Sequence, residues 1–179
     1  MLFVPESESA ALATHEMAYA AMKEALIAVR HEGAAIFPVV HGHGSDPANR
    51  FTVKAAAAAE VAGLKVGSFW PGNPARGLPR HNSLILLFDQ ERGRIGAAIE
   101  AGTLNAYRTA AADAVAAGVL ARPEAATLAI FGAGHQARYE CAALVRVRPI
   151  RRFDRYLCPH AASSSRVTVF HITLPRLSA

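Results

Sequence analysis

An apolar run that meets a glycine-rich turn and then an amphipathic segment constrains the fold of this chain more than any other feature. Residues 128–140 read LAIFGAGHQARYE, with glycine at positions 132 and 134 and a small residue at Ala137. The first glycine permits a tight turn, the second lets a phosphate approach bare backbone, and the small third residue lets a helix pack closely on a strand. The pattern predicts the strand–turn–helix corner of a dinucleotide-binding domain, with phosphate at the helix N-terminus.

A dinucleotide site of this kind commonly has an acidic residue about 20 positions further on, where it holds the ribose. Asp154 follows Gly134 by 20 residues. Its surroundings, IRRFDRYLCPH, contain three arginines and no clear alternation, which is unfavourable for a strand. The sequence therefore favours a solvated acid at Asp154 over a ribose ligand.

The first half of the chain predicts a helix followed by short strands. Residues 14–31 have helical apolar spacing, with Thr14 as N-cap and Gly33 placed for a left-handed C-terminal residue. Residues 34–40 predict a strand and 41–50, HGHGSDPANR, a polar loop. Residues 51–70 predict two strands joined by an alanine-rich connection.

A loop, a hairpin and a long helix are predicted next. Residues 71–82 are rich in proline and glycine, residues 83–99 read as two strands around the turn DQERG, and residues 102–121 return to helical spacing. That helix has a face of small residues, Ala106, Ala110, Ala114 and Ala117. A domain boundary is expected near 122–126, after an α+β layer.

Composition and charge exclude several classes of function. Hydrophobic residues make up 52% of the chain, and no basic-then-apolar leader or long apolar run predicts a signal peptide or a membrane span. The net charge of +5 arises mainly from five arginines after residue 150, so neither a nucleic-acid-binding surface nor a membrane partner is expected. The two cysteines, Cys141 and Cys158, belong to no motif and indicate a reducing compartment, the cytoplasm.

Other chemistry-bearing residues predict no further site. His41 and His43 stand two apart with no third ligand motif nearby, so they are interpreted as polar loop residues and no metal is expected. Cys141 falls on the apolar side of a predicted helix and is interpreted as a packing residue. Trp70 precedes a proline and is interpreted as a loop anchor that could also line a substrate pocket.

Four separated motifs carry a resemblance to a known family. GLKVGSFWPGN, GLPRHNSLILLFD, NAYRTAAADAVAAGVLA and LAIFGAGHQARYE together resemble the ornithine cyclodeaminase/mu-crystallin family over about residues 12–150. The resemblance implies an α/β fold: an α+β substrate-binding and dimerisation domain at 1–122, then the first β–α unit of a Rossmann domain at 123–150. It also implies NAD or NADP as cofactor, a small amino or imino acid as substrate, and a homodimer.

The same resemblance assigns roles to individual residues. Lys65 resembles the family's active-site lysine, which contacts the substrate carboxylate, and Arg108 resembles its carboxylate-binding arginine. Two fixed cations suit an amino or imino acid carboxylate, and arginine offers a bidentate fork. Ser83 is a weaker candidate for a hydroxyl on the substrate side. The implied cofactor-binding residues are Thr109, Gly132, Gly134, His135 and Gln136.

Two reactions follow from the resemblance, together with a third outcome. An ornithine cyclodeaminase uses bound NAD to turn a diamino acid into a cyclic imino acid with loss of ammonia. A ketimine or pyrroline-2-carboxylate reductase uses NAD(P)H to reduce a cyclic imine carboxylate. In both, the protein supplies positioning and electrostatics, and the cofactor carries the redox chemistry. The third outcome is a non-catalytic dimerisation module or an inactive fragment.

The composition changes after Ile150. Residues 151–179 carry most of the net charge and a serine triplet, and the resemblance is expected to end here. We interpret this basic tail as the product of a shifted reading frame near 150–153, which leaves a truncated chain. The alternative is that RVTVFHITL forms a strand that completes a sheet edge. A truncated chain is expected to have exposed strand edges, poor solubility and doubtful NAD(P) binding.

Overall fold

The computed structural model describes residues 1–31, 33–132, 134–157 and 168–173, with side chains as far as Asp154. The chain divides into two compact units, Met1–Asn105 and Ala106–Ala179. The division falls inside one long helix, whereas the sequence places a domain boundary near 122–126. Because the helix continues from one unit into the next, its local sequence does not mark the boundary between them. The domain bounds drawn from the sequence stay predictions.

A mixed sheet of seven strands forms most of the first unit. The strand order is β1-β7-β6-β5-β4-β2, with β3 also paired to β4. β1 runs parallel to β7, and the other pairs are antiparallel. The strands are β1 Leu2–Val4, β2 Ala34–Ile36, β3 Val40–His43, β4 Arg50–Ala58, β5 Ala62–Phe69, β6 His81–Asp89 and β7 Arg94–Glu100. The helices of this unit are α1 Glu6–Leu12 and α2 His15–Arg30, and a 3₁₀ helix spans Asn73–Arg76.

The α2 helix begins as the sequence predicts and ends differently. The Thr14 side chain accepts a hydrogen bond from the Met17 N–H at 3.1 Å, which confirms the N-cap. The left-handed conformation expected at Gly33 is wrong, because the positive-φ glycines of the described chain are Gly77, Gly93 and Gly132. The helix ends instead through hydrogen bonds to its last carbonyls, from the His31 N–H to the Ile27 oxygen and from the Gly33 N–H to the Ala28 oxygen.

Sheet pairing extends two strands beyond their predicted ends. The alanine run is not a connection but the second half of β4, where Ala55, Ala56 and Ala57 pair with Leu64, Gly63 and Ala62 of β5. The predicted loop at 41–50 is likewise wrong in part, because residues 41–43 belong to β3 and pair with β4. Neighbouring strands supply ladder hydrogen bonds that local propensity does not anticipate. The predicted hairpin at 83–99 is confirmed by β6 and β7.

The second unit contains a parallel strand–helix–strand crossover. It comprises the greater part of α3 Gly102–Leu120, then β8 Thr127–Phe131, α4 His135–Val147, β9 Arg152–Leu157 and β10 Thr168–Thr173. β9 pairs in parallel with β8 and antiparallel with β10. The α/β class is therefore confirmed, with an α+β first unit and the opening β–α–β of a nucleotide-binding fold. Among the described residues, no helix is long and apolar enough to cross a bilayer.

Small side chains allow close packing along α3. Ala106, Ala110, Ala111 and Ala114 are almost completely buried, and Ala117 is half-buried. The small face expected from the sequence is therefore present. Alanine side chains are short, so a neighbouring backbone can pack closely against this face of α3.

Residues 152–157 correct the interpretation of the segment after Ile150. The sequence was unfavourable for a strand, yet Arg152 to Tyr156 pair residue by residue with Thr127 to Phe131. A charged strand is tolerated because the Asp154 carboxylate accepts from the Arg152 Nε at 2.8 Å. β10 falls within RVTVFHITL, which agrees with the strand expected as the alternative. Cys158 and the serine triplet lie outside the described residues.

Candidate functional site

Cross-strand register gathers polar side chains on one face of β4, β5 and β6. Residues directly opposite on paired strands share a face, and so do residues two apart on one strand. The middle row across these strands is Thr52, Gly67 and Ser83. The outer row, two residues along, is Arg50, Phe69 and His81, and the inner row contains Lys65.

These rows line an open cleft of about 240 Å³ in the first unit. Lys65, Ser83, Thr52 and Arg50 all contribute to its wall, and Asn105 adds a side chain from the first turns of α3. Gly67 forms the middle of the floor. A Cβ at this position would lie 3.6 Å from the Thr52 Oγ1 and 3.8 Å from the Ser83 Oγ, so both hydroxyls border the space that the missing side chain leaves open.

Lys65 is held at the inner end of the cleft. Its Nζ donates a hydrogen bond of 2.5 Å to the Asn105 Oδ1, and the lysine is half-buried. The Asn105 amide thereby orients an ammonium group whose three donors can bridge more than one acceptor. A carboxylate bound beside Lys65 would meet a positioned cation and the hydroxyl row.

Glu6 fixes the helix end that carries Asn105. Its carboxylate accepts from the Gly102 N–H at 2.8 Å and from the Thr103 N–H at 2.7 Å, which satisfies two of the unpaired donors at the start of α3. Burial raises the pKa of Glu6, but the hydrogen bonds from Thr103 and Gly102 outweigh this effect and leave the pKa below its ordinary value. The α3 N-terminus is thus anchored by a carboxylate that stays ionised.

The cleft is cationic. Arg50, Lys65 and His81 are its titratable lining residues, and no aspartate or glutamate of the described chain lines it. His81 lies against Phe69 with ring centroids 4.8 Å apart. A cleft with this lining favours an anionic ligand over a cationic one.

The structure joins only some of the residues singled out from the sequence. Lys65 and Ser83 share the cleft, whereas Trp70 does not line it. Arg50, Thr52 and Asn105 were missed. The polar positions of RFTVK alternate with apolar ones, so Arg50 and Thr52 could have been assigned to one strand face, but their meeting with Lys65 depends on the register between strands.

Arg108 and Thr109 lie on α3 in the second unit, three and four residues after Asn105. The Arg108 guanidinium is exposed and donates to the Thr109 Oγ1 at 2.9 Å. This contact directs the two polar groups toward each other. Their predicted roles with substrate carboxylate and cofactor phosphate remain proposals.

The glycine turn of the second unit has the backbone geometry that the sequence predicts. Gly132 has a φ of 98°, a region that residues with a side chain seldom occupy. Gly134 is the N-cap of α4 and provides no side-chain cap, so the helix starts with backbone donors. A Cβ at either glycine would meet no described atom within 4 Å. Open space above bare donors at a helix N-terminus fits the pyrophosphate of a dinucleotide.

Two residues of the turn differ in their surroundings. His135 is exposed, and its ring centroid lies 5.0 Å from that of Tyr139. Gln136 is directed into the helix pair instead, because its Nε2 donates to the Ala106 carbonyl at 3.1 Å and to the Glu140 Oε1 at 2.7 Å. The Gln136 side chain therefore joins α3 to α4.

Asp154 is not the solvated acid that the sequence favours. It is 8% exposed and ion-paired with Arg152. It also lies in the interior of β9, opposite Ala129, while Phe131 at the end of β8 pairs with Tyr156. A ribose-binding acid belongs at the strand end, and β9 ends three positions beyond Asp154, at Leu157.

The remaining polar candidates stay outside these sites. His41 and His43 lie in β3, and within the described ranges no group of three or more potential ligands is arranged for a metal ion. Cys141 is half-buried, and burial, followed by the charge of Glu140, raises the pKa of its thiol. A raised thiol pKa is the opposite of what a nucleophilic cysteine requires, in keeping with a packing role.

Comparison with known proteins identifies the fold and its relatives. The family model described as "Ornithine cyclodeaminase/mu-crystallin family" matches residues 6–169. The iminosuccinate reductase of Paracoccus denitrificans is 38% identical over 182 residues, which cover 98% of this chain and 56% of that protein. The expectation that the resemblance ends at Ile150 is therefore wrong.

Two solved structures show the same architecture. An archaeal alanine dehydrogenase dimer with bound NAD has a TM-score of 0.82 at 30% identity, covering 88% of this chain and 48% of that one. The Thermococcus litoralis Δ1-pyrroline-2-carboxylate reductase in complex with NADH and L-proline has a TM-score of 0.82 at 26% identity, covering 89% and 50%. The chain spans about half the length of the relatives it matches.

Proposed function

This chain belongs to the ornithine cyclodeaminase/mu-crystallin family, and on that premise we propose that it serves the NAD(P)H-dependent reduction of a small imino acid. The observation that carries the proposal is the cationic cleft of the first unit, where Asn105 orients Lys65 beside a row of hydroxyls. Relatives that bear reductase names, for iminosuccinate and for Δ1-pyrroline-2-carboxylate, support the same reaction class.

The cleft binds the substrate through its α-carboxylate. The Lys65 ammonium supplies the charge, and the Thr52 and Ser83 hydroxyls supply neutral donors along the floor. Arg108 is proposed as a second carboxylate contact, as the family resemblance implies. A charge-assisted hydrogen bond to a carboxylate is about twice as strong as a neutral one, so Lys65 contributes more than either hydroxyl.

Reduction of an imine requires a hydride at carbon and a proton at nitrogen. Bound NAD(P)H supplies the hydride. Lys65 is the proton source within this chain: its Nζ gives a proton to the imine nitrogen, the C=N double bond becomes a C–N single bond, and the amino acid leaves. Asn105 holds the Lys65 Nζ in place through this proton transfer, since its Oδ1 accepts from the ammonium.

The nicotinamide cofactor is proposed to bind at the glycine turn, with its pyrophosphate on the backbone at Gly132 and Gly134 and with His135 and Thr109 nearby. The Gln136 side-chain amide already donates hydrogen bonds to Ala106 and Glu140. We therefore propose that Gln136 contacts phosphate through its backbone N–H, at the start of α4. NAD and NADP remain alternatives, because Asp154 lies short of the strand end where a ribose contact forms.

Cyclodeamination of a diamino acid is less compatible with the cleft. Ornithine or lysine carries a second cationic amine, which needs an anionic or strongly accepting partner when it is enclosed. No carboxylate of the described residues lines the cleft. The reductase, which was the alternative in the sequence interpretation, is therefore preferred to the cyclodeaminase.

A homodimer and a cytoplasmic location complete the proposal. In the first unit, α2 has no buried residue, and its apolar side chains remain about half exposed. The archaeal relative is a dimer, and a second copy would cover such a surface. The exposed apolar residues of α2 are Met17, Leu26, Ile27 and Val29.

The test is oxidation of NADH or NADPH with 2-oxo acids and ammonium, which form imines in solution, beside ammonia release from L-ornithine. We expect cofactor oxidation that requires both the oxo acid and ammonium, with no ammonia release. Ammonia release from ornithine without external reductant would instead establish the cyclodeaminase. If neither reaction occurs and size-exclusion chromatography gives a dimer, the chain is a non-catalytic module.

A further inference from the structure

We propose that Arg50 binds a second carboxylate of the substrate, so that the cleft selects an acyclic imino dicarboxylic acid over imino acids with one carboxylate. This inference rests on the proposed function and names the substrate class of the same site. It starts from a residue that neither the motifs nor the resemblance indicated.

Arg50 stands at the opposite end of the cleft from Lys65. The rows that contain them are separated by the row of Thr52, Gly67 and Ser83, because Lys65 and Phe69 are four residues apart on β5 and Phe69 pairs with Arg50. Four residues of a strand span about 13 Å along the sheet. Both side chains line the same cleft. The Lys65 ammonium and the Arg50 guanidinium therefore border it at opposite ends.

The guanidinium of Arg50 has no protein partner among the described residues. Two other arginines of the first unit, Arg92 and Arg94, each contact the Asp89 carboxylate, at 3.1 and 3.5 Å. Among the described residues, no carboxylate forms an ion pair with Arg50. A guanidinium that lines a cleft without a counter-ion is available for a ligand carboxylate, which it can bind with two parallel hydrogen bonds.

The floor between the two cations suits a short chain. Gly67 contributes no side chain, and the Thr52 and Ser83 hydroxyls border the gap. A four-carbon imino dicarboxylate would place its α-carboxylate by Lys65 and its distal carboxylate toward Arg50, across this gap. A cyclic imine with an apolar ring would offer Arg50 no acceptor and would lack this charge-assisted contact, so we expect it to bind more weakly.

The experiment measures binding of three amino acid products by isothermal titration calorimetry to the full chain. L-Aspartate carries the second carboxylate, L-asparagine has the same size without the charge, and L-alanine lacks the group. We expect aspartate to bind about 10- to 100-fold more tightly than asparagine, the difference that one charge-assisted contact provides. Arg50→Gln should reduce this ratio to near one.

Two further variants define the role of the arginine. Arg50→Lys keeps the charge but loses the bidentate fork, and we expect an intermediate ratio. Arg30→Gln, at the exposed end of α2 and outside the cleft, should keep the wild-type ratio. Thermal unfolding checks that each variant is folded, and Arg50→Lys retains the test if Arg50→Gln is unstable.

Each result decides between defined alternatives. If the wild type binds aspartate and asparagine equally, and Lys65→Gln binds neither, the dicarboxylate inference is wrong. The proposed function then stands. Absence of binding for all three amino acids overturns both. If inorganic phosphate displaces aspartate as well as succinate does, Arg50 binds anions in general and the inference is wrong.

Discussion

The cleft of the first unit and the glycine turn of the second present ligand-binding groups by different means. In the cleft, side chains from three strands and one helix converge because the strands are in register. At the turn, a contiguous segment of chain presents backbone donors because two residues lack side chains. The comparison implies that the cleft is sensitive to the chemical nature of its side chains, while the turn is sensitive to the presence of any Cβ at all.

Replacement of Lys65 should have the largest effect. Lys65→Met removes the proposed proton source and the carboxylate contact, and kcat/KM for the imino acid should fall by about 10²- to 10⁴-fold. The matched control is Lys54→Met, since Lys54 is exposed and lies directly opposite Lys65 on β4 without lining the cleft. Equal losses in both variants would show that general positive charge, and not an oriented group, is what matters.

Two alanine substitutions at the turn should separate folding from cofactor binding. Gly132→Ala imposes a φ of 98° on a residue with a Cβ and should cost about 1–2 kcal/mol of unfolding free energy, together with cofactor affinity. Gly134→Ala, with a φ of −74° and open space at its Cβ, should keep the melting temperature. Its NADH affinity should nevertheless fall about 10-fold or more, because the methyl group fills the space above the helix N-terminus.

Thermal unfolding and NADH fluorescence titration measure the two quantities separately. Full NADH affinity in Gly134→Ala would mean that the cofactor does not approach this backbone. A melting temperature that drops equally in both variants would mean that the turn needs two glycines for folding alone, and the contrast between the turn and the cleft would lose its basis.

The two regions also differ in how far the sequence predicts them. The turn, with β8 before it and α4 after it, is specified within about 20 consecutive residues, where local signals for strand, tight turn and helix agree. The cleft depends on pairing between segments that are far apart in sequence. Lys65 and Ser83 were identified through family motifs. Arg50 was identified only from the β4–β5 register, which puts it on the same sheet face as Lys65.

Where local preference and sheet pairing disagree, pairing determines the structure. The alanines of β4 have high helical propensity, yet β2 and β5 hydrogen-bond to them from both sides. The charged segment at 152–157 looked unfavourable for a strand because the sequence does not show that Arg152 and Asp154 neutralise each other two residues apart. Single-segment patterns contain neither kind of information.

Glu6 links the cleft to the end of α3, and its removal should have a moderate effect. Glu6→Gln weakens the cap on Gly102 and Thr103 and should cost about 1 kcal/mol of unfolding free energy at pH 7. Since the pKa of Glu6 is depressed in the fold, this stabilisation is complete above the ordinary carboxyl pKa and is lost as the pH falls through the folded-state pKa. Urea unfolding at pH 7 and pH 3 measures both effects.

Glu8→Gln is the control for Glu6, since Glu8 is exposed on the same helix and caps nothing in the described chain. It should leave the unfolding free energy unchanged at both pH values. A deficit in Glu6→Gln that persists in full at pH 3 would show that the carboxylate charge is not what anchors α3, and the orientation of Asn105 would then need another cause.

The smallest expected effect, and the only stabilising one, concerns the helix pair beneath the glycine turn. Burial, and after it the negative charge of Asp113, raises the pKa of Glu140, against the hydrogen bond from Gln136. The Glu140 Oε2 is buried with no hydrogen-bond partner in the described chain. A raised carboxyl pKa means that the protonated form stabilises the fold below the ordinary pKa, and that this contribution disappears as the pH rises through the folded-state pKa.

Glu140→Gln should therefore raise the unfolding free energy at pH 7 slightly, by up to about 0.5 kcal/mol, because a neutral amide replaces a charge that is only partly buried and that solvent screens. The gain should shrink toward pH 4, where the wild-type carboxyl is protonated as well. Glu124→Gln, in an exposed pair with Arg122 at 3.6 Å, should change stability little at either pH. Destabilisation by Glu140→Gln at pH 7 would show that the ionised carboxylate holds Gln136 and the turn above it, so that the turn too depends on side-chain chemistry.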